Sequence, residues 1–455
     1  MRLASVPVAL DAIFKAYDVR GTYPDQLNED VARAIGAAFA EFCETERIVL
    51  ARDMRSSGES LSGAFADGVR ARGVDVVDLG LVSTDLLYYA TGYLDAPGAM
   101  FTASHNPARY NGIKFCRAGA RPVGVESGLL DIRRVAQQRL GQVGPPRADL
   151  VAVDLWGPWV DHVHSFIEPA ALRPLRIVAD AANGMGALVA PRVFAGLPVQ
   201  LEVLYSELDG TFPNHPADPL NPANLVDLQR RVVETGADVG LAFDGDADRV
   251  FVVDERGTPI SGSTTTAMVA AALLDRHPGS TVLYNLICSR AVPEVIAEHG
   301  GVGVRTRVGH SYIKQVMAET NALFGGEHSG HYYYRDNYFA DSGIITALIV
   351  LEILGRCDQP LSAVQAPFRR YASSGEQNIE VGDPITTVRT LAARLRREAV
   401  TVDELDGLSA DFGTWWFNVR PSNTEPLLRV NVEALDDDAC ARHAGEVVTM
   451  IKEAP

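Results

Sequence analysis

Four short polar stretches of this chain carry residue types that reactions use. The first is Phe101-Thr102-Ala103-Ser104-His105-Asn106-Pro107, where an apolar strand pattern, Gly98–Phe101, breaks at Asn106-Pro107. That break puts Ser104 on an exposed turn. Ser, Asn and Pro are also ordinary turn formers, and a serine is a weak nucleophile until something activates it. The second is Asp244-Gly245-Asp246-Ala247-Asp248-Arg249, between two apolar runs. Carboxylates this close repel, so a solvated loop or a hard cation must compensate. The spacing imitates the start of a calcium EF-hand, but Arg249 stands where that loop needs glycine and the flanks read as strands. Few protein ligands on a tight loop fit magnesium, which commonly shares its shell with a phosphate.

The third stretch, Arg420-Pro421-Ser422-Asn423-Thr424-Glu425-Pro426, combines a guanidinium fork with hydroxyl, amide and backbone donors. A hairpin turn explains the prolines; a phosphate cradle explains the donor density as well. In the fourth, Gly326-Glu327-His328-Ser329-Gly330-His331, an ionised Glu327 can only accept hydrogen bonds and suits paired sugar hydroxyls. Two further stretches lie close to these in sequence. Val308-Gly309-His310-Ser311 opens a helix with a titratable histidine, and Asn111-Gly112-Ile113-Lys114 brings a lysine back if the loop after Ser104 folds over. Tyr17-Asp18-Val19-Arg20-Gly21 reads as a polar turn, either a solvated loop or a phosphate contact. Nucleophile, cation holder, phosphate cradle and hydroxyl acceptor together describe phosphoryl transfer. No GxSxG elbow supports a serine hydrolase.

The elements that must position these residues alternate. Helical period runs from Asn28, a candidate N-cap, through Val31, Ile35 and Phe39. Strand Ile48–Ala51, helix Gly58–Arg72, strand Val74–Leu79 and helix Thr84–Tyr93 lead to the serine turn. A second block, with helix Trp156–Ile167 and strands Leu175–Asp180 and Val239–Phe243, delivers the aspartates. A third runs from Ser261 to about Phe368, and a smaller α+β unit follows. Asn183-Gly184-Met185-Gly186 is a partial dinucleotide fingerprint with Val189 in place of the third glycine, so nicotinamide binding is not expected.

At 455 residues the chain suits three or four domains of ~100–150 residues each. Its net charge of −17 argues against nucleic acid and requires any anion site to be locally positive. No apolar run reaches membrane-spanning length; Gly343–Leu354 reads as a buried helix. After Arg2 the apolar Leu3–Leu10 is interrupted by Pro7 and followed by Asp11, unlike a secretion signal. Five scattered cysteines fit neither a disulfide framework nor a zinc site, and a cytoplasmic location is expected.

The order Tyr17–Gly21, Thr102–Pro107, Asn111–Lys114, Asp244–Arg249, Gly326–His331, Arg420–Pro426 resembles the α-D-phosphohexomutase superfamily, in its bacterial phosphomannomutase/phosphoglucomutase branch. The resemblance implies an α/β fold: three similar mixed-sheet α/β domains plus a C-terminal α+β domain around a central cleft. Their bounds would be residues 1–147, 148–257, 258–368 and 369–455. It implies that Ser104 is phosphorylated and that Asp244, Asp246 and Asp248 hold Mg²⁺ against that phosphate. Glu327 and Ser329 would read the sugar, and Arg420, Ser422, Asn423 and Thr424 would clamp the distal phosphate. Tyr17, Arg20, Lys114, Arg249, His310 and His331 match positions near the reacting groups, with His310 and Lys114 both candidate bases. The implied reaction interconverts hexose 6-phosphate and hexose 1-phosphate, of mannose and also glucose, with a hexose 1,6-bisphosphate as intermediate and activator. The implied partners are small hexose phosphates, with no nucleic acid and no membrane, in a monomer or homodimer.

Two alternatives accompany this reading. Phosphoglucosamine mutase shares the architecture, though Asn423 and Ala247 stand where that branch generally has glycine. A sugar-phosphate binding protein without turnover would not need Ser104, the aspartates and Lys114. Departures from the pattern are His328, where many relatives have Met, Glu or Gln, and Ile287, where some have a substrate-contacting lysine. Arg290 is a candidate substitute for that lysine.

Overall fold

The computed structural model describes residues 10–398, 401–422 and 427–454, apart from the side chain of His310. The chain divides into two compact units. The first runs up to Ser261 and takes in Lys314–Phe324 and Ser329–Val364; the second comprises Gly262–Ile313, Gly325–His328 and the chain from Gln365 onward.

The first unit holds two mixed sheets. In one, strand Arg47–Arg52 pairs in parallel with Asp75–Leu81 and Gly98–Phe101. Gly98–Phe101 then pairs antiparallel with Tyr110–Arg117, and that strand with Val19–Thr22. Helix Glu29–Cys43 covers this sheet, capped by the Asn28 side chain, which accepts from the Val31 N–H. Beneath it Phe39 meets Phe115 at 4.6 Å between ring centroids, and Phe65 meets Phe101 edge-on at 5.4 Å. Such aromatic pairs add to plain area burial, and here they fix the strand that ends three residues before Ser104.

One expectation is corrected in this sheet and another is met. Tyr17–Gly21 is not all turn, because Val19–Thr22 is an edge strand with Arg20 opposite Gly112. The chain after Ser104 does fold back: Asn111–Lys114 lies inside strand Tyr110–Arg117, antiparallel to Gly98–Phe101, with Lys114 opposite Met100 and its Nζ beside Asp246 and Asp248. Val19–Thr22 is only four residues long and Tyr110–Arg117 is buried at its six central positions, so neither shows the sustained alternation that marks a strand in sequence.

In the second sheet strand Val239–Phe243 is parallel to Leu175–Asp180 and antiparallel to Val250–Asp254. Residues 244–249 are therefore a hairpin connection, as their flanks suggest. Helix Gly343–Gly355 is buried along its length, and its cap Ser342 donates to Asp85 at 2.9 Å. Burial pushes the Asp85 carboxyl up to about 7, against the hydrogen bonds from Ser83 and Ser342. No described helix is long and apolar enough to cross a membrane.

In the second unit strands Thr281–Asn285 and Val302–Thr306 run parallel, with helices Gly262–Arg276 and Ala291–Glu298. The C-terminal part is an antiparallel sheet whose central strands, Trp415–Pro421 and Leu427–Ala434, pair over seven positions. Helices Pro384–Leu395 and Asp437–Glu453 close over it, burying Leu391, Leu395, Phe417, Val447 and Ile451. Multi-domain α/β architecture with a C-terminal α+β part is thus observed.

Candidate active site

Ser104 takes a backbone φ of 48°, the left-handed region in which a non-glycine residue is uncommon. Two features hold it there. Its N–H donates to Thr102 Oγ1 at 2.9 Å, and the buried guanidinium of Arg55 gathers the loop from behind. Arg55 donates to four backbone carbonyls, those of Ser104 (2.8 Å), Asn106 (2.6 Å), Pro107 (3.0 Å) and Tyr110 (2.8 Å). Strain at one residue persists where the surroundings over-determine it. The Ser104 hydroxyl faces the other way and donates to Asp244 Oδ2 at 2.7 Å.

The aspartate hairpin packs directly on this turn. A Cβ on Gly245 would lie 2.4 Å from the Ser104 carbonyl oxygen, so only glycine permits that approach. Gly184 fits against the same hairpin, where a Cβ would meet the Gly245 carbonyl oxygen at 2.7 Å. In the partial fingerprint Gly184 therefore serves loop packing, while Gly186 lies against the Phe243 side chain.

Asp244, Asp246 and Asp248 are each at most 1% exposed and offer oxygens within 4.8 Å of one another. Their neighbours are cationic. Arg249 donates from Nε to Asp244 at 2.9 Å and from Nη2 to Ser104 Oγ at 3.2 Å. Lys114 Nζ stands 2.7 Å from Asp246 Oδ2 and 2.6 Å from Asp248 Oδ2. Thr84, at the start of helix Thr84–Tyr93, donates to Asp246 Oδ2 at 2.6 Å. Burial raises the Asp244 carboxyl to about 7, opposed by Arg249 and reinforced by the two other aspartates. Burial acts on Asp246 in the same sense, but Lys114 and Thr84 overcome it and hold that group well below the usual carboxylate range. Lys114 is held protonated: its burial is outweighed by Asp246 and Asp248.

The donor set fits a hard divalent cation. Asp246 Oδ1 and Asp248 Oδ1 are buried and have no hydrogen-bond partner, which leaves two carboxylate oxygens of the hairpin unmet. An unpaired buried acceptor is costly, and a cation with oxygen preference satisfies it.

Around this core Arg20 donates to Asn106 Oδ1 on the serine turn and to Asp18 at 2.9 Å. His331 Nε2 lies 3.7 Å from Asp248 Oδ1 and 3.8 Å from Asp341 Oδ2, and Ser329 Oγ is 3.3 Å from His331 Nδ1. Tyr17, half-buried, precedes the Arg20 strand. The structure thus gathers Ser104, the aspartates, Lys114, Arg249, Arg20 and His331 within the first unit.

Glu327, Arg420 and Ser422 belong to the second unit. Glu327 is 2% exposed, and its Oε1 accepts from Asn285 Nδ2 at 3.2 Å and the Gly309 N–H at 3.3 Å. Arg420 donates to Glu376 at 2.7 Å, and the Ser422 N–H bonds the Leu427 carbonyl at 2.9 Å. Asn423, Thr424 and the His310 side chain lie outside the described residues.

Sequence reasoning missed Arg55, Thr84 and the part played by His105. Burial and the adjacent Arg249 and Arg20 push the His105 imidazole well down, so a neutral Nδ1 accepts from Arg249 Nη2 at 2.6 Å. The one available signal was the polar run Arg52-Asp53-Met54-Arg55 at a strand end.

Four family models match the chain in order. They describe phosphoglucomutase/phosphomannomutase alpha/beta/alpha domain I (residues 11–136), domain II (157–257), domain III (261–371) and the C-terminal domain (376–450). The chain belongs to the phosphoglucomutase/phosphomannomutase family.

Members of that family with similar sequences include a phosphomannomutase of Escherichia coli strain K12, 38% identical over 436 residues, 93% of this chain and 95% of the relative. A protein named phosphohexose mutases from Xanthomonas campestris is 39% identical over 428 residues, 94% of this chain and 96% of the relative. Among solved structures, a phosphoglucomutase/phosphomannomutase family protein of Burkholderia thailandensis is 34% identical, with a TM-score of 0.89 and 97% of each chain covered.

Within this family member Arg290, the candidate substitute for a lysine at 287, is engaged elsewhere. Its guanidinium is bonded to Asp411 and the Gly413 carbonyl. Ile287 itself is buried at 6% exposure.

Proposed function

We propose that this phosphohexomutase interconverts hexose 6-phosphates and hexose 1-phosphates with Ser104 as the phosphoryl carrier. The observation that supports the carrier role most directly is the Ser104 hydroxyl, 2.7 Å from Asp244 and 3.2 Å from Arg249, on a turn pinned by Arg55. Family membership supports the reaction class.

Phospho-Ser104 gives its phosphoryl group to the free 6-hydroxyl of a hexose 1-phosphate. The P–O bond to the serine breaks, a P–O bond to the sugar forms, and the hydroxyl proton leaves to a base. The resulting 1,6-bisphosphate reorients and returns its 1-phosphoryl group to Ser104. Phosphoryl transfer asks for alignment and charge compensation more than for covalent work by the protein. Asp244, Asp246 and Asp248 would hold Mg²⁺, with Ser104 or its phosphate completing the set, and the cation would supply charge compensation for the transferring group. Lys114, held protonated, and Arg249 add positive charge at the same place. A lysine kept protonated in this way is a poor base; His310 is the remaining sequence candidate. Arg20 and His331 steady the transferring group, and Tyr17 and Ser329 border it.

In the second unit Glu327 reads sugar hydroxyls, while Arg420, Ser422, Asn423 and Thr424 hold the distal phosphate without regard to sugar stereochemistry. Both mannose and glucose phosphates are then substrates. The relatives named above are mutases, which does not favour a binding protein without turnover, nor the glucosamine branch. Five free cysteines suit the cytoplasm. The serine, aspartates and lysine come from one chain, so monomer and homodimer serve equally.

Intact-mass measurement of protein incubated with glucose 1,6-bisphosphate should show one added phosphate that Ser104→Ala abolishes. Turnover by Ser104→Ala above about one-hundredth of normal would exclude the serine route.

A further inference from the structure

Arg420 and Arg429 face one another across the two central strands of the C-terminal sheet, with Asn418 opposite Asn431 two residues away. Like charges directly opposite each other destabilise a sheet pair unless an anion compensates. Glu376 does so. It precedes strand Gln377–Glu380 on the other edge of Leu427–Ala434 and reaches both arginines, Oε2 to Arg420 Nη2 at 2.7 Å and Oε1 to Arg429 Nη1 at 3.3 Å.

The compensation is incomplete in two ways. Among the described residues one carboxylate meets two guanidinium groups, leaving one positive charge over. Half-buried His328 adds none: desolvation, then the charges of Arg420 and Arg429, push its imidazole down to about 4. Among the described residues Arg420 Nε, Arg429 Nε and Asn431 Nδ2 are also buried without hydrogen-bond partners, and Asn431 is only 8% exposed.

A bidentate oxyanion engages guanidinium Nε and Nη2 along one edge. Glu376 supplies that edge of Arg420 with a single oxygen, because its second goes to Arg429. A phosphate monoester dianion, with three terminal oxygens, can fill Nε and Nη2 together and neutralise the surplus charge.

We propose that Glu376 is an internal competitor for the distal-phosphate site: its carboxylate occupies Arg420 Nη2 and must give it up when a hexose phosphate binds. This rests on the reading of Arg420 as a phosphate clamp. Glu376 is then a positioning residue that loosens substrate binding. In a mutase this has a use, since a bisphosphate gripped too tightly at its distal end could not turn around.

The test compares Glu376→Gln, Glu376→Asp and Arg420→Lys by steady-state kinetics, with inorganic phosphate as a competitive inhibitor. Glu376→Gln should lower KM for glucose 1-phosphate and Ki for phosphate by about fivefold, the scale of one partly exposed ion pair. Glu376→Asp, which keeps the charge, should stay closer to the native values. Arg420→Lys should raise KM at least tenfold, roughly the loss of one bidentate contact. An unchanged KM in Arg420→Lys would sink the clamp reading itself. A raised KM there, together with unchanged or weaker binding in Glu376→Gln, would overturn the competitor and leave Glu376 a support for the arginine. If Glu376→Gln does not fold, Glu376→Ala replaces it, with the same expected direction and the same overturning result.

Discussion

Lys114 Nζ lies 2.6 Å from Asp248 Oδ2, an ion pair across 134 residues of sequence that ties the strand after the serine turn to the aspartate hairpin. Both side chains are at least nine-tenths buried. Removing one partner of such a pair strands the other in low dielectric, typically at ~3–5 kcal/mol.

Lys114→Met should therefore destabilise the protein by roughly 3 kcal/mol in EDTA, and Mg²⁺ should recover much of that loss if the aspartates hold it. Thermal melts with and without Mg²⁺ measure both. Identical losses in the two conditions would remove the cation from this hairpin.

Asp246→Asn removes one carboxylate from the set and weakens the partner of Lys114 and Thr84. Mg²⁺ should raise the melting temperature of the native protein more than that of the variant. Equal shifts would mean that Asp246 is not a ligand.

Gly245→Ala should uncouple the two loops. Its methyl group meets the Ser104 carbonyl oxygen at 2.4 Å, and backbone cannot yield as a flexible side chain does. Overpacking of this kind costs about 1–3 kcal/mol, and displacement of the nucleophile should reduce kcat by about a hundredfold while circular dichroism stays native. Near-native kcat would show that the close approach is dispensable.

Arg55→Lys replaces a planar fork by a point charge that cannot serve four carbonyls at once. Phosphorylation of Ser104 by glucose 1,6-bisphosphate should slow by more than tenfold, roughly the effect of a loosened nucleophile. A native rate would show that the turn keeps its shape without the guanidinium.

His215 gives a pH signature away from the reacting groups. Its burial would lower the imidazole, but the Asp180 carboxylate at 3.1 Å raises it above the ordinary value. A folded-state value above the unfolded one contributes stability below about pH 6.5, lost as pH rises through the raised value. The melting-temperature gap between native protein and His215→Phe should therefore narrow from about pH 6 to pH 8. A constant gap would contradict the assigned ion pair.

The candidate site residues were legible in the sequence to the extent that their chemistry is local. Asp244, Asp246 and Asp248 stand between two apolar strands, and both the strands and the repulsion can be read from that segment alone. Arg55 and Thr84 were not legible. Their roles exist only because the sheet brings residue 55 behind the serine turn and helix Thr84–Tyr93 against Asp246. Strands Val19–Thr22 and Tyr110–Arg117 escaped for other reasons: the first alternates but is only four residues long, and the second is buried at all six of its central positions, so it shows no period of two. Arg290 shows the limit of reading by position. A cation stands near the place of the missing lysine, but Asp411 and the Gly413 carbonyl, distant in sequence, claim it.

The grip of Arg55 on the serine turn has one more consequence. With its backbone stapled from behind, the serine proposed as phosphoryl carrier sits on a turn that is not free to swing toward either end of a sugar. Bringing both ends of one molecule to a stationary pen is then left to the molecule itself, and the protein's share of that motion falls to parts other than the nucleophile.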